Sequence, residues 1–201
     1  MLTSFTETQL DALRELANIA SGTAATSLSQ MIGREVDLSV PKALALPLAE
    51  AVAAAGEPDT LTTGVALAID GGVAGMILLL IHSDSAKTLC ELLGVEAGTE
   101  FGDSALAEVG NILGAGYLTA LGAMTGMTMM PGTPMVQTDL LAAIVASVLA
   151  GTTASGSDIA LVLDSKLSIN GQSCGISVLL MPAPEGAETL LGPLGLAEPS
   201  V

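Results

Sequence analysis

The sequence predicts an α+β fold: two pseudo-symmetric repeats, each a long helix, a strand, a short helix and a β-hairpin, sharing one largely antiparallel sheet with helices packed on it. Three observations predict it. The chain matches itself at a fixed offset, each copy carries a hairpin signal downstream, and aromatic side chains are nearly absent from a strongly apolar composition.

The self-match comes first. Residues 11–41 read DALRELANIASGTAATSLSQMIGREVDLSVP, and residues 104–134 read SALAEVGNILGAGYLTALGAMTGMTMMPGTP. At an offset of 93, Glu15 meets Glu108, Asn18 meets Asn111, Thr26 meets Thr119, Gly33 meets Gly126 and Pro41 meets Pro134. The offset then becomes 100, and Asp70-Gly71 meets Asn170-Gly171. Asp-Gly and Asn-Gly between apolar runs are signals for two-residue hairpin turns.

Each element follows from local pattern. The long helices should stop at Gly33 and Gly126, where a left-handed residue closes a helix. A strand should follow in each copy and end near Pro41 or Pro134, with proline in a structural role. Ala-rich stretches form the short helices, and the hairpins come next. A helix over 83–94, opened by Ser83 or Asp84, links repeats at about 8–82 and 101–182. Residues 183–201 read as a short helix and a frayed tail. The whole chain, 1–201, is expected to form a single domain, because half of it would bury little on its own.

Composition narrows the function. Asp and Glu number 21 against 5 Lys and Arg, a formal charge of −16. Nucleic-acid binding needs a basic footprint, so the sign excludes it. Partners with basic patches suit such a surface, and solubility or salt adaptation would give the same composition. The mean hydropathy of +0.68 raises the question of a membrane. The apolar run Leu140–Ala150 is shorter than the roughly 20 residues a spanning helix needs, and no signal-peptide pattern opens the chain. A soluble, cytoplasmic protein is expected, with Cys90 and Cys174 as free thiols.

The candidate chemistry lies on the long helices. At 100° per residue from Asp11, Glu15 falls near ~40° and Asn18 near ~−20°, while Leu13, Ala17, Ala20 and Ala24 cluster around ~200°. The apolar side takes the core, so Glu15 and Asn18 face out together. In the second helix Ser104, Glu108 and Asn111 share one face, and Leu106, Leu113 and Tyr117 the other. Gly22 and Ala115, one turn beyond each Asn, leave room for close approach. A carboxylate and a carboxamide one turn apart form a minimal site for hydrolysing an already activated phosphate. The carboxamide offers a donor and an acceptor to hold a water in line, and the carboxylate pairs with a cation on the substrate.

One exposed Glu/Asn pair is ordinary helix surface. The longer pattern is less ordinary. Asp or Ser, three residues, Glu, two residues, Asn, twenty-two residues and Pro arises by chance at roughly one start position in 10⁵. It occurs here twice. Asp11 and Ser104 read as helix-start or orienting groups.

That pattern, with the helical stretch NIASGTA, resembles the signature of the CheC, CheX and FliY family of chemotaxis phosphatases, over nearly the whole chain. The resemblance implies hydrolysis of the phospho-aspartate of the response regulator CheY. It implies one site at Glu15 and Asn18 and a second at Glu108 and Asn111, all in catalytic roles. It also implies Mg²⁺ on the CheY partner, with no cofactor or metal of this chain's own, and binding to the deamidase CheD. A monomer is expected, since the internal symmetry supplies both halves.

Two other readings compete with the enzyme. One is a non-catalytic module that sequesters CheD or phosphorylated CheY, with 138–150 as the partner surface. The other is a structural piece of the flagellar switch. His82, the only histidine, lacks an evident catalytic partner. The methionines from Met124 to Met135 read as core filler in place of aromatics, or as an adaptable binding surface.

Overall fold

The computed structural model describes residues 7–151 and 159–184, with 186, 189 and 192. Among these residues the order is α1 (Glu7–Ile32), β1 (Val36–Pro47), α2 (Leu48–Ala55), β2 (Leu61–Gly71), β3 (Gly75–His82), α3 (Ser83–Leu93), α4 (Glu100–Thr125), β4 (Met129–Pro131), β5 (Met135–Leu140), α5 (Leu141–Gly151), β6 (Ile159–Ile169) and β7 (Gln172–Pro182). The tail beyond 184 falls largely outside the described residues.

The strands make one seven-stranded sheet in the order β1-β6-β7-β3-β2-β4, with β5 also paired to β2, and every pairing is antiparallel. The halves interleave. β1 lies against β6 of the other half, and β4 and β5 together lie against β2. At the offset of 93, Val36–Pro47 falls on 129–140, the span of β4 and β5.

The sheet is buried on both faces. Alternate residues, such as Ile77 and Leu79 against Leu78 and Leu80, enter two separate cores. The first core lies under α1, α3 and α4, the second under α2 and α5. This explains the unbroken run GMILLLIH in β3, since a strand covered on both sides has no solvent face to make polar. The cores use small and aliphatic side chains, and Tyr117 is the largest that is fully buried. Its hydroxyl lies 2.7 Å from Ser165 Oγ, tying α4 to β6.

Two local expectations need correction. Asn170-Gly171 is a two-residue turn, with Ile169 paired to Gln172 and φ of 51° and 81° at the turn residues. Asp70-Gly71 is not. Ile69 pairs with Gly75, and Asp70 and Gly71 continue β2 to pair with Met130 and Met129. Gly71 has φ 118°, and a Cβ there would run into the Thr128 carbonyl oxygen. The first hairpin is therefore closed by a longer loop, and its glycine serves a close strand approach.

The strand of the first repeat also does not end near its proline, whereas β4 of the second stops at Pro131, just ahead of Pro134. β1 runs on to Pro47, with its register shifted between Ser39 and Lys42, around Pro41. Pro134 lies in the break between β4 and β5. Proline has no N–H for the ladder, so it sits where the ladder is interrupted. The helix stops are as expected: Gly33 and Gly126 have φ of 68° and 73°.

No described helix is long and apolar enough to cross a membrane. The run from Leu140 to Ala150 ends β5 and makes most of α5, with Leu141 and Ile144 buried.

Candidate functional site on the paired helices

The two long helices lie side by side on one face of the sheet. Their contact is close: a Cβ on Gly116 of α4 would stand 3.1 Å from the Ala20 carbonyl oxygen and 3.2 Å from Ala24 Cβ of α1. Leu16, Ala17, Ala20, Ala24 and Leu28 give α1 its buried side, and Leu106, Val109, Leu113, Tyr117 and Leu121 do so for α4. With those faces committed, the opposite stripes must face out. Glu15, Asn18, Ser104 and Glu108 are exposed, and Asn111 is half-buried. Asp11 is exposed as well. The side chains of Leu13 and Arg14 lie outside the described residues.

Within each pair, Glu and Asn are separated by about 4.5 Å along the helix axis, the rise over three residues. One carboxylate and one carboxamide thus face a common volume just above the helix. Beyond Asn18, a Cβ at Gly22 would meet nothing within 4 Å, so approach to α1 there is unobstructed. Ala115 is half-buried at the matching place in α4.

The second pair has surroundings that the sequence reading missed. A groove of about 450 Å³ lies between the end of α1, the end of α3 and the start of α4. Met31, Ile32, Arg34, Leu92, Ser104 and Glu108 line it. Arg34 donates from Nη1 to the Leu92 carbonyl oxygen at 3.2 Å, a cation satisfying the carbonyl end of α3. Phe101 opens α4 and is 79% exposed. It precedes Glu108 by seven residues, about 20° away on the wheel, so extending the stripe one step back from Ser104 would have found it.

The remaining singled-out residues go elsewhere. Cys90 and Cys174 are free and buried. Burial pushes both thiols up, and the Asp103 carboxylate adds to the rise at Cys90. His82 Nδ1 is buried with no hydrogen-bond partner among the described residues. The methionines divide: Met129 is buried, Met124 and Met127 pack on the core, and Met130 and Met135 are exposed along the β4–β5 edge. Next to that edge, on the opposite face of the sheet from α1 and α4, a groove of about 490 Å³ is lined by Met135, Gln137, Ile144, Ser147 and Val148.

A model of the CheC-like family matches residues 9–44 and 101–137, the two long helices with the strands that follow them. The CheY-P phosphatase CheC of Bacillus subtilis (strain 168) is 30% identical over 199 residues, covering 94% of this chain and 95% of that protein. Among solved structures, FliY of Thermotoga maritima superposes with a TM-score of 0.71 at 19% identity, over 96% of this chain and 98% of that one. The middle domain of FliM from Vibrio alginolyticus gives a TM-score of 0.63 at 14% identity, over 92% and 99%. At such identities these two likenesses speak for the fold alone. The whole-length relative and the matched helices together are decisive: the chain belongs to the CheC-like family.

Proposed function

We propose that this protein is a phosphatase that hydrolyses the phospho-aspartate of the chemotaxis response regulator CheY. The observation that carries the reading is the doubled Glu/Asn pair, on outward stripes of two helices matched by the family model. The whole-length likeness to a CheY-P phosphatase supports it.

The chemistry asks little of the protein. An acyl-phosphate is activated, and water attacks phosphorus while the P–O bond to the aspartyl group breaks. The products are free aspartate and inorganic phosphate. Asn18 or Asn111 orients the water, its carbonyl oxygen accepting from the water and its amide donating. Glu15 or Glu108 pairs with a cation beside the phosphoryl group and anchors the regulator. Mg²⁺ bound by the regulator neutralises phosphoryl charge, and this chain supplies no cofactor. The acidic surface suits a partner that presents basic groups.

A second reading has one observation in its favour. The groove beside α5, with exposed Met135 and Leu140, is an apolar surface on the sheet face away from the Glu/Asn stripes. It fits a docking module for CheD within 138–150. Phosphate release from phosphorylated CheY, with Mg²⁺ and this protein at substoichiometric amounts, separates the readings. A phosphatase releases many equivalents of phosphate per protein. A sequestering module releases none beyond the spontaneous rate.

A further inference from the structure

We propose that Phe101 is the docking residue of the Glu108/Asn111 site, seating on the surface of the phosphorylated response regulator beside its phospho-aspartate. The inference rests on the phosphatase reading and adds an asymmetry: the second site holds its protein substrate through an aromatic side chain at a position where the first repeat has Thr8.

The chain contains 2 Phe and 1 Tyr, with no Trp. Tyr117 is buried to 1% exposure, whereas Phe101 stands 79% exposed, the largest exposure among the large apolar residues described. A bare aromatic ring on an acidic surface is costly unless something covers it, and such rings are favoured anchors at protein interfaces.

Its position ties it to the site. Phe101, Ser104, Glu108 and Asn111 fall within about 80° of one another on the helix wheel. Phe101 lies about 10 Å from Glu108 along the axis, within the reach of one protein surface. Glu108 also lines the groove bounded by Met31, itself 42% exposed, and Ile32. Glu108 thus shares its stripe with Phe101 and its groove with Met31 and Ile32.

The helix turn that carries the ring is also held. Thr99 caps α4, its hydroxyl accepting from Gly102 N at 3.1 Å and donating to the Glu96 carbonyl oxygen at 2.7 Å. Gly102 packs against that same carbonyl so closely that a Cβ would collide with it. The first turn is thus clamped to the preceding loop, and Phe101 projects from a fixed base.

Charge identifies the occupant. Glu100, next to Phe101 in the chain, and Glu108, on the same stripe of α4, are both exposed. A second copy of this chain, at −16, would bring acid against acid, and an anionic membrane would be repelled likewise. A response-regulator face with an apolar spot among cations, next to an acyl-phosphate, fits. At the equivalent position of the first repeat, 93 residues earlier, the sequence has Thr8.

The test uses the full chain carrying Asn18→Ala, which leaves the second site to work alone. Phosphate release from phosphorylated CheY is measured across substrate concentration. Phe101→Ser should raise KM about ten-fold with kcat retained at saturation, and Phe101→Leu should recover most of the loss. An unchanged KM, while Asn111→Ala in the same background stops turnover, overturns the inference and leaves the phosphatase reading standing. Absence of turnover in the Asn18→Ala protein also overturns it, since the second site then does no work. Full activity in the Asn18→Ala/Asn111→Ala protein overturns the phosphatase reading and this inference with it.

Discussion

α1 and α4 carry the same Glu/Asn pattern but are built differently. α1 turns its hydroxyls on itself. Ser21 donates to the Ala17 carbonyl, Thr23 to Ile19, Thr26 to Gly22 and Ser27 to Thr23. Such back-bonding slightly loosens a helix. α4 instead turns small residues toward its neighbours. A Cβ on Gly110 would stand 2.6 Å from Val65 Cγ1, so the missing side chain seats α4 on β2, next to Asn111. The corresponding residue of α1 is Ala17. Tyr117 then bonds α4 to Ser165 of β6, and Thr99 fixes its first turn. One pattern therefore stands on a helix whose hydroxyls bond back to their own carbonyls, and the other on a helix clamped at its start and seated on the sheet. The lesson is that copies of a motif can share chemistry while differing in how firmly, and beside what, they present it.

The largest expected effect would break the comparison at its chemistry. If water positioning is the whole effect, Asn→Ala at either position should slow that site on the order of 100-fold, about 2.7 kcal/mol of barrier. Each single variant then reports the other site, and phosphate release gives the share carried by α1 and by α4.

The seat of α4 comes next. Gly110→Val should destabilise the fold by about 1–3 kcal/mol through overpacking against Val65, measured by urea unfolding. Ala17→Gly in α1 should cost only about 1 kcal/mol, the loss of helix propensity. Equal losses at the two positions would erase the difference between the helices.

Tyr117→Phe should cost about 1 kcal/mol by removing the bond to Ser165. It should also change the alkaline limb. Burial, partly countered by the Ser165 bond, pushes the phenol up from 10.0 to about 12. The folded state then holds its proton more tightly than the unfolded state. The stabilisation is complete below pH ~10 and is lost as pH rises toward ~12. The Phe variant should lack that loss between the two values.

The smallest effect concerns the thiols. Buried, with raised pKa, Cys90 and Cys174 should react slowly with a thiol reagent until the protein is unfolded. Fast labelling of the folded protein would contradict the burial of both thiols in the core under α1, α3 and α4.

Much of this architecture is legible in the sequence, because two periodicities carry it. The 3.6-residue period separates Ala17, Ala20 and Ala24 from Glu15 and Asn18, and the offset of 93 carries that separation to α4. What the sequence hides is non-local. Asp70-Gly71 has the dipeptide of a tight turn, yet pairing with Met129 and Met130 pulls it into β2. Pro41 marks a ladder interruption, not a strand end, because the paired strand β6 continues beyond it. The groove beside Glu108 needs Met31 and Arg34 of one half to meet Ser104 of the other, a meeting no local pattern announces. Phe101 was within reach, as the next residue back along a stripe that stops too early at Ser104.

The most direct test of the central claim is the decay of phosphorylated CheY, with Mg²⁺, in the presence of wild-type protein or of the Asn18→Ala/Asn111→Ala variant, both folded by circular dichroism. The expected result is accelerated decay with the wild type and only the spontaneous rate with the variant. Undiminished acceleration by the folded double variant would contradict it.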